Sequence, residues 1–278
     1  MHRRLALGLA VLGVLGAVPA ALAGYGAPFA VQGGPGVLSN DGSVRYLALD
    51  GGSQSTVLNA IKTNDGSRTK STTVNGSFGV PMLTNNGLSG GLSHDGTMLV
   101  LQSLGAQSPT KFNLINTEDL SALGSIQLKG LFSYDALSPD GSKLYLVQHS
   151  SVADMQHYVV RLYDLSKRAL MPGKIADKTQ KGWVMQGFPA SRTTSVDGRW
   201  VYTLYANPGG YPFIHALDTV RGVAHCVGIP WAPGDRNQTG VYNLVLSLRG
   251  NAIVVNQKSG QKFLTVNRAT WHVTKVTS

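Results

Sequence analysis

The most informative stretch of this 278-residue chain for its fold is Ser138-Pro139-Asp140-Gly141-Ser142-Lys143-Leu144-Tyr145-Leu146-Val147. Asp-Gly between two apolar runs is typical of a hairpin, because Gly accepts a positive φ and Asp can bond its own backbone. Pro139 fixes φ at the entry to the turn. The stretch therefore predicts a strand, a tight turn and a second strand.

The same pattern recurs along the chain. Its turn aspartates, Asp41, Asp95, Asp140 and Asp197, are separated by 54, 45 and 57 residues, and a degenerate fifth copy carries Arg249 in place of Asp. Because these aspartates recur once per copy, we assign them to turn formation and not to calcium binding or acid–base chemistry.

Each copy is followed by a second pair of apolar runs around an Asn or Asp turn, for example Phe213 to Leu217 before Asp218 and Val223 to Ile229 after it. Five units of four strands fill residues 35–278, at about 50 residues each. This periodicity predicts an all-β fold, a β-propeller of four-stranded antiparallel blades with five blades. A sixth, degenerate blade within residues 50–91 is the first alternative. A β-sandwich is the second, although it does not explain five phased copies.

The repeat also resembles that of bacterial secreted β-propellers of the YVTN/WD40-like type. The resemblance is carried by Ser138 to Val147, and by the apolar runs that lead into Asp164-Leu165 and Asp218-Thr219. Residues Gly187 to Trp231 resemble secreted bacterial propellers of unassigned role. The resemblance implies the fold and a surface or periplasmic setting, but no particular activity.

The N-terminal residues predict export. Arg3 and Arg4 precede the apolar run Leu5 to Ala17, and Ala21-Leu22-Ala23 forms a small-x-small cleavage site. A membrane anchor is the alternative, but the run is shorter than the roughly 20 residues of a span. We expect a signal peptide at 1–23, an N-terminal extension at 24–34, a propeller domain at 35–278 and no transmembrane segment. The mature chain is then secreted, in the periplasm, in the cell envelope or outside the cell, as a monomer.

Composition agrees with strands and turns. The chain has 34 Gly, a single Glu (Glu118) and only 14% charged residues, against a usual ~25%. Cleavage after residue 23 leaves 22 Lys and Arg against 14 Asp and Glu, a net charge of +8. The chain contains no basic run, and export argues against nucleic acid as a partner. Cys226 is the only cysteine, so it cannot form an intramolecular disulfide, and we expect it to be buried and inert.

The candidate site follows from the order of the strands. In such blades the longer loops and the crossovers between blades gather on one face, opposite the tight turns. Aromatic and cationic residues are concentrated in these segments, and they suit an anionic or glycan-like ligand. The predicted ligand-binding residues are Arg192, Trp183, Phe188, Tyr211, Trp231, Arg236, Tyr134 and Asp135. The alternative is that the aromatics fill gaps between blades and that Arg192 pairs with Asp135 or Asp235.

These features predict a binding or scaffold protein that recognises an anionic small molecule, a glycan or a protein partner, with no cofactor or metal. The rival is a lactonase-like or glycosidase-like hydrolase with an active site at the channel mouth. A glycosidase needs a carboxylate pair, and Glu118 lies in a turn on the opposite face. A third possibility is an interaction module without a small ligand. Ring closure is left open: the strand Phe29–Gln32 completes the last blade, or that blade closes alone.

Overall fold

A computed structural model describes residues 29–179, 185–208, 210–231 and 238–275. Within these ranges the strands form five antiparallel sheets, each with a core of four consecutive strands. The predictions of an all-β fold and of five four-stranded blades are therefore confirmed. No helix among the described residues is long and apolar enough to cross a membrane.

The blades follow one another along the chain. Blade 1 contains β2 (Val37–Leu38), β3 (Val44–Asp50), β4 (Ser55–Lys62) and β5 (Arg68–Asn75). Blade 2 contains β6 (Phe78–Pro81), β7 (Met98–Ser103), β8 (Thr110–Asn116) and β9 (Ala122–Leu128). Blade 3 contains β10 (Leu131–Leu137), β11 (Lys143–His149), β12 (His157–Asp164) and β13 (Ala169–Leu170), with β14 (Met185–Gln186) also paired to β12. Blade 4 contains β15 (Phe188–Thr194), β16 (Trp200–Ala206), β17 (Phe213–Asp218) and β18 (Val223–Gly228). Blade 5 contains β19 (Leu244–Arg249), β20 (Ala252–Gln257), β21 (Lys262–Asn267) and β22 (Val273–Lys275), and a short 3-10 helix, Thr239–Asn243, precedes it.

The first strand, β1 (Ala30–Val31), lies inside blade 2. Ala30 pairs with Pro81 and Val31 with Val80, so β1 adds an innermost strand to that sheet. Blade 5 is built from its own four strands. Of the two modes of closure considered, the last blade therefore closes alone.

The Ser-x-Asp-Gly turn joins the two inner strands in blades 1 to 4. The serine hydroxyl donates to the aspartate two residues later, at 2.6 Å in the turns of Asp41 and Asp95. The same hydroxyl accepts the backbone N–H five residues later, at 2.9 Å in both turns. This hydroxyl is the main reason that the pKa of Asp41 is lowered to about 2. The assignment of these aspartates to turn formation thus has a direct structural basis.

Neighbouring blades pack through apolar side chains. Four clusters of buried residues join blade 1 to 2, 2 to 3, 3 to 4 and 4 to 5. A polar latch accompanies the first two joints. The Thr56 hydroxyl accepts the backbone N–H of Phe78 at 2.8 Å, and the Thr110 hydroxyl accepts that of Phe132 at 3.0 Å. Each of these hydrogen bonds fixes how far one blade is shifted relative to the next.

The innermost strands begin earlier than the sequence indicated. The sequence predicts crossovers between blades at residues 75–90, 129–135 and 176–192, but β6, β10 and β15 lie wholly or partly within these ranges. All seven residues of β10 are buried, as are all four of β6. A strand covered on both faces shows no alternation of apolar and polar residues, so its first half resembles a loop in sequence.

One crossover contains a loop that reaches across the molecule. Residues 82–90 leave β6 and return to pair Leu92 with Leu99. At its tip the Asn85 N–H donates to the Pro189 carbonyl at 2.9 Å, and the Asn86 side chain donates to the Ala190 carbonyl at 2.8 Å. The loop therefore ties blade 2 to blade 4 across the centre.

The turns give a prediction on stability. Asp197→Ala should lower the free energy of unfolding by about 1 kcal/mol, because Asp197 accepts from the Ser195 hydroxyl at 2.5 Å and from the Arg199 N–H at 3.2 Å. Val196→Ala in the same turn is the control, since Val196 is 96% exposed and should change stability by less than about 0.5 kcal/mol. Urea unfolding measures both. Equal midpoints for the two variants would contradict the structural role of Asp197.

Candidate functional site

A cavity lies between the inner strands of blades 3 and 4, on the face of the long loops. The empty space among its side chains is about 360 Å³, including its open mouth. The part of this space that a small molecule can occupy without overlapping the walls is much smaller, so the cavity as described admits only a small group. Leu83, Val147 and Met155 provide apolar wall, and Tyr158 and Tyr205 provide aromatic wall. The cavity therefore has apolar and aromatic walls around a small free space.

The polar end of the cavity is an ion pair between the two blades. Nη1 of Arg192 lies 2.7 Å from Oδ1 of Asp135, and Nη2 donates to the Asp135 carbonyl at 2.6 Å. Nη1 is also 3.3 Å from the Thr203 hydroxyl. Both charged side chains are buried. Arg192 thus makes the ion pair with Asp135 that was the alternative to ligand binding in the sequence.

Only one of the two carboxylate oxygens of Asp135 has a hydrogen-bond partner. Its Oδ1 accepts from Arg192, but its Oδ2 is buried and has no hydrogen-bond partner. The hydroxyl of Tyr158, which lines the same cavity, is also buried and makes no hydrogen bond of normal geometry, and the side chain it interacts with is that of Tyr205. Burying a polar group without a partner costs free energy, so such groups in a cavity wall indicate a place for a polar guest.

A serine and a histidine of blade 3 are also paired in the cavity wall. The Ser133 hydroxyl lies 2.9 Å from Nε2 of His149, and Nδ1 of His149 lies 3.0 Å from the Met155 carbonyl. Because a carbonyl only accepts, Nδ1 carries the proton and Nε2 accepts from Ser133. This is the arrangement that activates a hydroxyl nucleophile. However, burial lowers the pKa of His149 to about 4, which makes it a weak base at neutral pH.

The aromatic wall has a buried polar layer behind it. Tyr158 and Tyr205 have ring centroids 5.8 Å apart, and Tyr205 meets His215 edge-on at 6.5 Å. His215 faces Sγ of Cys226 at 3.5 Å through Nδ1, while its Nε2 has no partner. Burial raises the pKa of Cys226 and lowers that of His215 to about 4. Cys226 is buried, as expected.

The predicted site residues separate into three groups. Tyr134, Asp135 and Arg192 line the cavity, with Tyr134 and Asp135 on β10 and Arg192 on β15. Phe188, the first residue of β15, is buried, whereas Tyr211 is exposed and Trp231 packs against the cluster between blades 4 and 5. Trp183 and Arg236 lie outside the described residues. The position of Trp231 agrees with the gap-filling alternative.

Several cavity residues were not identified from the sequence. Ser133, His149, Tyr158 and Tyr205 all lie on strands and line the cavity, but they are not among the predicted ligand-binding residues. For two of them the sequence position is informative, because His149 and Tyr158 pair directly with each other at the end of the hairpin β11–β12.

The repeated sheets and their packing define the protein as a β-propeller. Comparison with solved structures gives the same class. The structure is similar to the β-propeller domain of Cps50 (Swd1) from Myceliophteria thermophila, with a TM-score of 0.50 and 9% identity over 82% of this chain and 65% of that chain. At this identity the likeness shows the fold alone.

Other similar structures come from bacteria. BamB from Moraxella catarrhalis has a TM-score of 0.44 and 15% identity, over 84% of this chain and 62% of that chain. TolB from Acinetobacter baumannii has a TM-score of 0.43 and 13% identity, over 89% of this chain and 52% of that chain. The chain thus spans less than two thirds of the length of each of these three proteins. No family model and no curated protein matches the sequence.

The buried histidines give a prediction on pH. The pKa of His149 and of His215 is about 4 in the folded protein, against about 6.5 in an unfolded chain. Each imidazole therefore takes up its proton on unfolding between about pH 4 and pH 6.5, and the free energy of unfolding falls as pH falls through this window. Each pKa unit corresponds to about 1.4 kcal/mol.

Urea unfolding at several pH values between 7 and 4.5 measures this dependence. We expect His149→Gln to flatten it, and we expect His272→Gln, at an exposed position, to leave it as in the wild type. The turn aspartates, whose pKa values are lowered, lose their contribution only at lower pH. If His149→Gln keeps the full slope, the assignment to His149 is wrong.

Proposed function

We propose that the protein is an exported binding or scaffold propeller, and that its ligand enters the cavity between blades 3 and 4 at the face of the long loops. The observation that carries the proposal is the cavity itself. It brings apolar and aromatic side chains together with buried polar groups that have unused hydrogen-bonding capacity. Ligand sites commonly have this composition. The export and the location in the periplasm, cell envelope or medium rest on the N-terminal sequence pattern.

Of the three ligand classes predicted, the anionic one has the weakest support. Arg192 was its main recognition residue, and its guanidinium is already engaged by Asp135 and near Thr203. Tyr211, which is exposed on the loop 207–212, remains available for contact area around the mouth. A glycan or a segment of a protein partner suits this surface better.

Blocking the cavity tests the proposal. Met155→Trp adds bulk at the cavity wall, and we expect it to reduce binding to arrays of neutral and acidic glycans and of peptides at least tenfold. Val152→Trp is the matched control, because Val152 lies on the same loop, is 64% exposed and does not line the cavity. Surface plasmon resonance on the array hits gives the affinities. Hits that bind both variants and the wild type equally would show that the ligand site lies elsewhere.

A hydrolase is the second candidate, favoured by the hydrogen bond between Ser133 and His149. Asp135 is the only carboxylate of the cavity wall, so the described residues do not provide the carboxylate pair of a glycosidase. The described residues also contain no group of three or more His, Cys, Asp or Glu that could hold a metal ion.

Phenylmethylsulfonyl fluoride separates the two functions. We expect no sulfonylation of Ser133 at pH 7.5, because its base is weak and the hydroxyl is buried. Intact-mass measurement of the wild type and of Ser133→Ala detects the adduct. An adduct that is stoichiometric in the wild type and missing in Ser133→Ala would favour the hydrolase.

A further inference from the structure

The joint between blades 3 and 4 departs from the pattern of the earlier joints. The residue paired with the eighth position after the turn glycine is Thr56 in blade 1 and Tyr158 in blade 3, and continuing the ladder of blade 2 beyond Gln102 and Phe112 places Thr110 there. The two threonines use their hydroxyls to latch the next blade. The hydroxyl of Tyr158 makes no such bond. The repeat has therefore exchanged a structural latch for an unpartnered group at the cavity.

The two unpartnered groups have complementary capacities. Oδ2 of Asp135 accepts hydrogen bonds, and the hydroxyl of Tyr158 can donate one or accept one. A guest that satisfies both must supply at least one donor together with a second donor or an acceptor. Asp135 is 4% exposed and Tyr158 is 3% exposed, so little water reaches either group from outside.

The charges of the cavity wall distinguish between charged and uncharged ligand groups. The opposite formal charges of Asp135 and Arg192 cancel within one ion pair. An ammonium ion beside Asp135 would leave a net positive charge buried, and a carboxylate would lie against the unpartnered oxygen of Asp135. An uncharged hydroxyl or carboxamide carries neither cost. Its small size also suits the limited free space of the cavity.

We propose that the cavity recognises an uncharged hydrogen-bonding group, a hydroxyl or a carboxamide, which inserts between Asp135 and Tyr158 while the apolar part of its ligand rests on the aromatic wall. This inference rests on the proposed function and names the chemistry of its ligand. A sugar hydroxyl and the side-chain amide of a peptide are the two sources of that group.

Tyr158→Phe and Tyr145→Phe form a matched pair of variants. Each removes one buried hydroxyl. The hydroxyl of Tyr145 donates to the Thr219 carbonyl at 2.8 Å, so Tyr145→Phe should lower the urea midpoint and leave ligand affinity unchanged. Tyr158→Phe should lower the midpoint less than Tyr145→Phe does, because the free protein loses no hydrogen bond of normal geometry and only a weaker interaction with the Tyr205 side chain. It should also weaken the binding of the uncharged ligand about tenfold, as expected for one hydrogen bond.

Two sets of small probes are titrated by calorimetry or followed by ligand-observed NMR. Methyl glucoside is compared with methyl glucosaminide and methyl glucuronide, which add an ammonium and a carboxylate. N-acetylglutamine amide is compared with N-acetylglutamate amide. We expect the uncharged member of one set to bind best, and the set that binds identifies the source of the group.

Three results would overturn the inference. The first is stronger binding of methyl glucuronide or N-acetylglutamate amide than of the uncharged probes. The second is an affinity for the uncharged probes that Tyr158→Phe leaves intact. The third is an absence of binding by every probe, together with a loss of stability in Tyr158→Phe as large as in Tyr145→Phe, which would assign the hydroxyl to an ordered water. Array hits that Met155→Trp abolishes would retain the proposed function in all three cases.

Discussion

The hydrogen bond between the serine and the aspartate of the Ser-x-Asp-Gly turn is the constraint on which the blades depend. One hydroxyl bonds both the aspartate and the first backbone N–H of the following strand, so the turn and the register of the hairpin are set together. A slip of one residue would move every apolar side chain to the opposite face of its strand. Because each blade must present apolar side chains to both neighbours, correct register in the hairpin is a condition for stacking the blades.

Blade 5 shows that other contacts can take the place of the hydrogen bond between serine and aspartate. It lacks the aspartate, and β19 and β20 are joined by Gly250 and Asn251 alone, with Gly250 at a φ of 56°. A two-residue connection of this kind needs positive φ and sets register through its length. The inner strand of blade 5 also receives a bond from outside, since the Leu246 N–H donates to the Ser191 hydroxyl of blade 4 at 2.9 Å. A shorter turn and a neighbouring blade thus perform the task of the missing side chain.

The sequence was informative where side chains alternate and where turns need special residues. The outer strands show the alternation, and the turns between strands carry the special residues. The number of blades could therefore be predicted from the sequence. The inner strands β6, β10 and β15 have neither signal, because both of their faces are covered. The candidate site depends on those strands. Asp135 and Arg192 could be named as a possible ion pair, but Ser133, His149 and Tyr158 become neighbours only when the start of an inner strand is known. Tyr158 has a sequence signal only after the blades are aligned and its position is compared with Thr56 and Thr110.

The placement of β1 has a mechanical consequence. Among the described residues, no ladder of hydrogen bonds joins the first blade to the last one, since β1 pairs with β6 and blade 5 contains only its own strands. If a ladder joined two distant parts of a ring, many of its hydrogen bonds would bear a pulling force at the same time. Apart from β1, whose pairing with β6 encloses blade 1, each sheet is made from strands that follow one another closely, so tension along the backbone opens hairpins in series. Resistance to stretching is therefore limited by the weakest blade, and the loop that ties Asn86 to blade 4 is the contact that spreads the load to the far side of the molecule.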